Sequence, residues 1–294
     1  MVGVLIPVGP SAAELGRLDD LLESLAHWER PDVFHLVIVD DARRPRAALE
    51  RIAGWASVTV VRTPLWQRRR VPEPFAAMTA GTLMAIEAAP VECEFLLKLD
   101  VDALVIGRFV SKIRHAFAED ETLGLVGSHD VTCTGAQRDW SVWHGHLQRL
   151  GRRVRLGRHG RRLFLQRRRA GDVRRSIALL DAAQRNGYAL GANCLGGAYA
   201  IGPRLMSRRD LLDWRPWAGT GLGEDIVMGV LCGAAGLRMR SLTGPGEPFG
   251  IAHVGLPKPP RELIADGHSL VHAVKANAAT ERAWRQEFRA ARGA

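Results

Sequence analysis

Short apolar runs alternate along the chain with stretches of helical periodicity. VGVLIPV (2–8) ends in Gly9-Pro10, a strand followed by a turn. In SAAELGRLDDLLESLAHW (11–28), Leu15, Leu18, Leu21, Leu22, Leu25 and Trp28 share one helical face, and Ser11 with Glu14 forms a capping-box pattern. FHLVIVDDA (34–42) predicts a second strand, RAALERIAGWA (46–56) a helix and SVTVVRTP (57–64) a third strand. PFAAMTAGTLMAIEAA (74–89) predicts a small-residue helix with Pro74 at its start, and EFLLKLDVDALVIG (94–107) a fourth strand.

This β-α-β-α-β-α-β order predicts an α/β fold with a mostly parallel sheet. Its strands are continuously apolar, as helices on both faces require. Ligands of such open sheets bind beyond the carboxyl ends of the strands. Asp40-Asp41 end the second strand and Asp100-Val101-Asp102 end the fourth, so both acidic pairs converge on that edge.

Residues 108–132 add a helix and a strand. From about 134 to 190 the sequence turns Arg-rich and irregular, with Trp140 and Trp143. Strand and helix patterns resume in GANCLGGAYAIGPRLM (191–206) and GTGLGEDIVMGVLCGAAGLRMRSL (219–242). IAHVGLP (251–257), a Pro-rich turn and helical sequence from about 259 follow. The expected organisation is one domain in three parts: a ligand-binding α/β half (1–132), an Arg-rich insert folded as a hairpin or flap (133–190), and a second half with C-terminal helices (191–294).

At 294 residues and 47% apolar, the chain can bury a large core. Its net charge of +10 is local: residues 149–175 hold twelve arginines and one aspartate, and the rest is close to neutral. The four cysteines form no C-x-x-C pair, which speaks against a zinc cluster and a disulfide scaffold. No apolar run is long enough to span a membrane, and the first residues lack a basic signal-peptide start. The expected setting is the reducing cytoplasm, with peripheral membrane contact through the arginine run.

Asp100 and Asp102 are one residue apart, so in an extended chain they point to the same side, roughly 6–7 Å apart. One carboxylate can then hold a divalent ion while the other reaches a hydroxyl or the ion's water; hard oxygen ligands suit Mg²⁺ or Mn²⁺. Glu224-Asp225 open an apolar helix after a glycine-rich loop. Acids there are favoured by the helix dipole and, if ionised, can serve as a general base. His253 is a candidate third metal ligand from a distant segment.

Together, IPVGPS, LVIVDDA, LLKLDVDALVIG, LGGAYAIG, GLGEDIVMG and IAHVG resemble the GT-A-fold nucleotide-sugar glycosyltransferases, especially family-2-like members, over residues 2–132 and 190–256. The resemblance implies a Rossmann-like sheet and transfer of a sugar from a nucleotide-diphosphate sugar, UDP-linked by expectation, to an acceptor hydroxyl on a glycan or lipid-linked molecule. It implies that Pro7, Asp40 and Arg70 line the nucleotide and its phosphates, and that Asp100 meets the ribose and metal shell. Asp102 and His253 would complete a Mn²⁺ or Mg²⁺ site, and Gly196 and Gly197 would shape the donor-sugar floor. Asp225 would be the base of an inverting transfer, with Glu224 on acceptor or sugar hydroxyls; retaining relatives share the motif set. The sequence departs from the family pattern at DDARRP (40–45) and throughout the Arg-rich insert.

Two other readings follow from the residues. The arginine run suits a binding module for an anionic polymer or membrane surface. For single-stranded nucleic acid it offers one interleaved aromatic, Phe164, which argues against that partner. A sugar nucleotidyltransferase would also combine an α/β domain with a metal, but IPVGPSAAEL lacks a glycine-rich phosphate loop.

Overall fold

The computed structural model describes residues 1–42, 44–49, 52, 54–63, 74–155, 167–217 and 220–293. Seven strands form the central sheet: β1 (Val2–Val8), β2 (Phe34–Asp40), β3 (Val58–Arg62), β4 (Leu96–Leu99), β6 (Leu123–Gly127), β7 (Ala198–Ile201) and β8 (Arg238–Ser241). Their order is β3-β2-β1-β4-β7-β6-β8. β7 pairs antiparallel with both β4 and β6, while the other pairings are parallel. A second sheet of three short strands, β5 (Leu104–Val105), β10 (Leu270–His272) and β9 (Phe249–Ile251), stands beside it.

The fold is therefore the expected one, α/β with a mostly parallel sheet flanked by helices. Alternate residues of β1 show why its run is continuously apolar. Val4 and Ile6 pack with Leu18, Leu21 and Leu25 of α1 (Ala12–Trp28) and Ile113 of α3 (Val110–Glu119). Leu5 instead packs with Leu83 and Ile86 of α2 (Pro74–Ala88) on the other face. Burying such side chains contributes about 1.5–3 kcal/mol each. Strand order reverses at β1, which pairs with β2 on one side and β4 on the other, the kind of point beyond whose carboxyl ends open α/β sheets bind ligands.

Three expectations differ from the structure. The helix over 46–56 is, in the described residues, a 3-10 turn at Ala47–Leu49. The backbone N–H groups of Ala42 and Arg46 donate to the Asp40 carboxylate at 3.1 Å each, so Asp40 holds the start of this segment against the end of β2. The capping box does not form: Ser11 makes no side-chain cap, and Glu14 accepts from Arg17 Nη1 at 2.7 Å.

The Arg-rich segment, expected as a hairpin or flap, is helical where described, as α4 (Ser141–Arg155) and α5 (Arg167–Arg185). Leu147, Leu150, Ile177, Leu180 and Ala183 are buried in the core with Ile226 and Val230 of α7 (Glu224–Ala234), which explains the packing. Residues 156–166, including Phe164, lie outside the described residues. Two short elements, α6 (Pro203–Met206) and α8 (Pro260–Ala265), precede the last helix, α9 (Ala278–Ala291), which Asn277 caps by accepting from Thr280 N–H at 3.0 Å. Among the described residues no helix is long and apolar enough to cross a membrane.

Candidate active site

The chain after β4 turns at Asp100–Asp102 and enters β5, which pairs antiparallel with β10. Val274 N–H donates to the Asp102 carbonyl at 2.8 Å, so the second sheet holds the end of β10 against the acidic turn. As a result Asp100, Asp102 and His272 bring one ligand atom each within 4.8 Å of one another. Nε2 of His272 lies 3.1 Å from Asp102 Oδ1 and 3.7 Å from Asp100 Oδ2. The histidine at the site is thus His272. His253, the expected ligand, is exposed on the turn after β9 and stands outside this cluster.

The imidazole is oriented from behind. Its Nδ1 is 2.9 Å from the Ala252 carbonyl; an N–H there donates to that oxygen and turns Nε2 toward the carboxylates. Two carboxylates and an imidazole held this way fit a divalent transition ion such as Mn²⁺. Burial works to lower the His272 pKa, but the Asp102 hydrogen bond and both carboxylate charges outweigh it, and it is raised. For Asp102, burial opposes ionisation and the His272 contact overcomes it, so its pKa is lowered. Burial raises that of Asp100, against the charge of Lys98.

Gly197 admits the imidazole: a Cβ on it would overlap His272 Nδ1. A Cβ on Gly196 would lie 2.9 Å from Glu224 Oε1. Both glycines therefore serve close approach between site elements, and the Gly197 carbonyl also accepts from Asp100 N–H at 3.0 Å.

Lys98, in the middle of β4, is fully buried (0% exposed). Its Nζ donates to Asp100 Oδ1 at 2.6 Å, contacts Glu224 Oε1 at 3.0 Å and donates to the Gly196 carbonyl. Burial works against its charge, yet the two carboxylates raise its pKa. Glu224 is 2% exposed and paired with this ammonium, a supporting position rather than one open to substrate hydroxyls.

Asp225, the next residue, is less buried. Its Oδ2 accepts from Asn193 Nδ2 at 2.8 Å, and its Oδ1 from Ile226 N–H at 2.9 Å. Asn193 is itself fixed, because its Oδ1 and carbonyl accept from Arg138 at 2.7 and 2.6 Å. Burial, with the Glu224 charge second, pushes the Asp225 carboxyl up to about 7.

Pro7 is half-buried in β1 opposite Val39 of β2. Asp40 is 1% exposed, and its oxygens are taken by loop N–H groups and by the Arg46 guanidinium at 2.6 Å. Arg46 also donates to the carbonyls of Val8 and Gly9 at 2.9 Å, tying the ends of β1 and β2 together. Arg70 lies outside the described residues.

Sequence reasoning missed His272, Lys98, Asn193 and Arg138. The signal for Lys98 was a charge inside a run otherwise fit for burial. For His272 it was the apolar SLVHAV after a Gly, a strand pattern within sequence read as helical.

No protein-family model matches the sequence, and no curated protein matches it. Among solved structures it is similar to S. aureus TarS 1–349 in complex with UDP-GlcNAc (21% identity, 43% of this chain and 33% of that one, TM-score 0.31). It is also similar to the mannosyltransferase PcManGT from Pyrobaculum calidifontis in complex with GDP-Man and Mn²⁺ (17%, 77% and 49%, TM-score 0.37). A third is an active-site mutant of LgtC (13%, 98% and 95%, TM-score 0.48). The chain spans about a third of the length of that TarS structure. Function therefore rests on the geometry of the site itself.

Proposed function

We propose that the protein is a GT-A-type glycosyltransferase that moves a sugar from a nucleotide-diphosphate sugar to an acceptor hydroxyl. The observation that carries this reading is Lys98, which joins Asp100 of the D-x-D turn (2.6 Å) to Glu224 of the E-D pair (3.0 Å). A metal-type cluster and a candidate base are thereby parts of one site at the carboxyl edge of the sheet.

Asp100, Asp102 and His272 would hold a divalent ion. When bound there, such an ion supplies Lewis-acid stabilisation of a departing diphosphate. The nucleotide runs along the carboxyl ends of β1 and β2, past Pro7 and the Asp40–Arg46 pair. Asp225 takes the proton of the acceptor hydroxyl as its oxygen bonds to the anomeric carbon and the bond to the diphosphate breaks. Attack from the face opposite the leaving group inverts that carbon. Asn193 holds the Asp225 carboxylate for this role, with Arg138 behind it. Gly196 and Gly197 let Glu224 and His272 close in beneath the donor sugar.

The test is a panel of nucleotide sugars incubated with and without Mn²⁺, with NMR of the product anomer. Metal-dependent donor turnover lost in Asp102→Ala, and kcat about 10²–10⁴-fold lower in Asp225→Asn with donor binding retained, are expected. Wild-type transfer by Asp225→Asn removes the base assignment; no turnover of any donor, beside salt-sensitive capture of anionic polymers, favours a binding module instead.

A further inference from the structure

A cleft of about 370 Å³ lies between the first half of α1 and α9. Four arginines line it: Arg17 from α1, and Arg282, Arg285 and Arg289 from α9. They face two lining carboxylates, Asp20 and Glu281, and both are already engaged. Asp20 accepts from Arg289 Nη2 at 2.8 Å and from Arg285 Nη1. Glu281 accepts from both Nε and Nη2 of Arg17, at 2.8 and 2.9 Å, and from Arg285 Nε at 3.1 Å. Glu14 reaches Arg17 from outside the cleft.

This pairing leaves positive charge uncompensated. Arg282 is exposed and makes no ion pair among the described residues. Arg285 is only 8% exposed, and its Nη2 has no hydrogen-bond partner among them. A buried guanidinium with an unmet donor is costly in isolation, and an anion at the cleft would lower that cost through its charge. The cleft is also kept open: a Cβ on Gly16, in its wall, would meet nothing within 4 Å.

We propose that the α1–α9 cleft is a binding site for a phosphate group carried on a small molecule or a lipid headgroup. The exposed Arg282 guanidinium offers a free fork to the oxygens of a dianion beside three paired arginines, and the volume exceeds that of a bare phosphate, leaving room for the group that carries it. The site is built independently of the metal-type cluster, so its test is run in EDTA.

The full chain is titrated with inorganic phosphate at constant ionic strength against chloride, followed by calorimetry and Tm. In a parallel arm it is sedimented with vesicles containing phosphatidic acid. Two variants accompany wild type: Arg282→Ala, which removes the unpaired charge, and Gly16→Leu, which fills the opening while raising helix propensity. Saturable binding in either arm, weakened about tenfold or more by Arg282→Ala (one charge-assisted hydrogen bond) and blocked by Gly16→Leu, bears the proposal out. The arm that responds identifies the source of the phosphate. Binding in neither arm, or binding unchanged in both folded variants, overturns it.

Discussion

At Gly197 the site depends on the absence of a single carbon. A Cβ there would overlap His272 Nδ1, and on its other side that nitrogen meets the Ala252 carbonyl at 2.9 Å. Gly197→Ala is therefore expected to displace the imidazole and weaken Mn²⁺ binding at least about tenfold by calorimetry, an effect on the scale of losing a ligand's orienting contacts. Asp225 carries a pH signature. With its carboxyl pushed up to about 7, the base form is present above that pH, so kcat should rise through about pH 7 and level off. The linkage has the opposite sign for folding. An acid whose folded pKa is raised contributes stability below the ordinary carboxylate range, and this is lost as pH rises through about 7. Asp225→Asn should then melt higher than wild type at pH 8 and near it at pH 4, while losing the pH-dependent limb of any residual activity. The acids of the site were legible, because an apolar run ending in D-V-D and a glycine loop ending in E-D are visible without coordinates. Asn193 and Arg138 were not, since an amide and a guanidinium acquire their meaning from whom they touch.

Among the elements, β4 shows how one strand serves core and chemistry together. Leu96, Leu97 and Leu99 are buried between the helical layers, while Lys98 sends its ammonium to the carboxyl edge, where Asp100 and Glu224 receive it. Removing one member of a buried charge group leaves the others uncompensated, commonly at about 3–5 kcal/mol. Lys98→Met should accordingly unfold at lower denaturant in EDTA, and Mn²⁺ should restore part of the loss by neutralising Asp100; no change in midpoint would show that the group does not stabilise the strand. The elements were largely readable where the apolar pattern was long. β1, β2, β3 and β4, the helices α1 and α2, and the strand–helix order around 191–242 follow from it. The pattern failed where elements are short or locally captured. β10 is three residues within sequence that reads as helical, and the Asp40 carboxylate captures the N–H groups of Ala42 and Arg46. The Arg-rich segment misled for a different reason. Its charge hides the spaced apolar positions, Ile177, Leu180 and Ala183, that seat α5 on α7.

For the molecule as a whole, the candidate metal ligands come from distant parts of the chain: two from the turn after β4 and one from the last strand. An ion bound by all three ties these segments together only in the folded state, so it should raise Tm by mass action, about 2.7 kcal/mol at a hundredfold excess over Kd. Asp102→Ala should abolish the Mn²⁺-dependent shift in differential scanning calorimetry; an equal shift in that variant would place the ion elsewhere. The pairing of β10 with β5 has a further consequence during synthesis. A nascent chain that has left the ribosome only as far as α7 already possesses both aspartates, the buried lysine and Asp225, but not His272. Assembly of the metal-type cluster waits until Val271 emerges and pairs with Leu104, which brings His272 to the acidic turn.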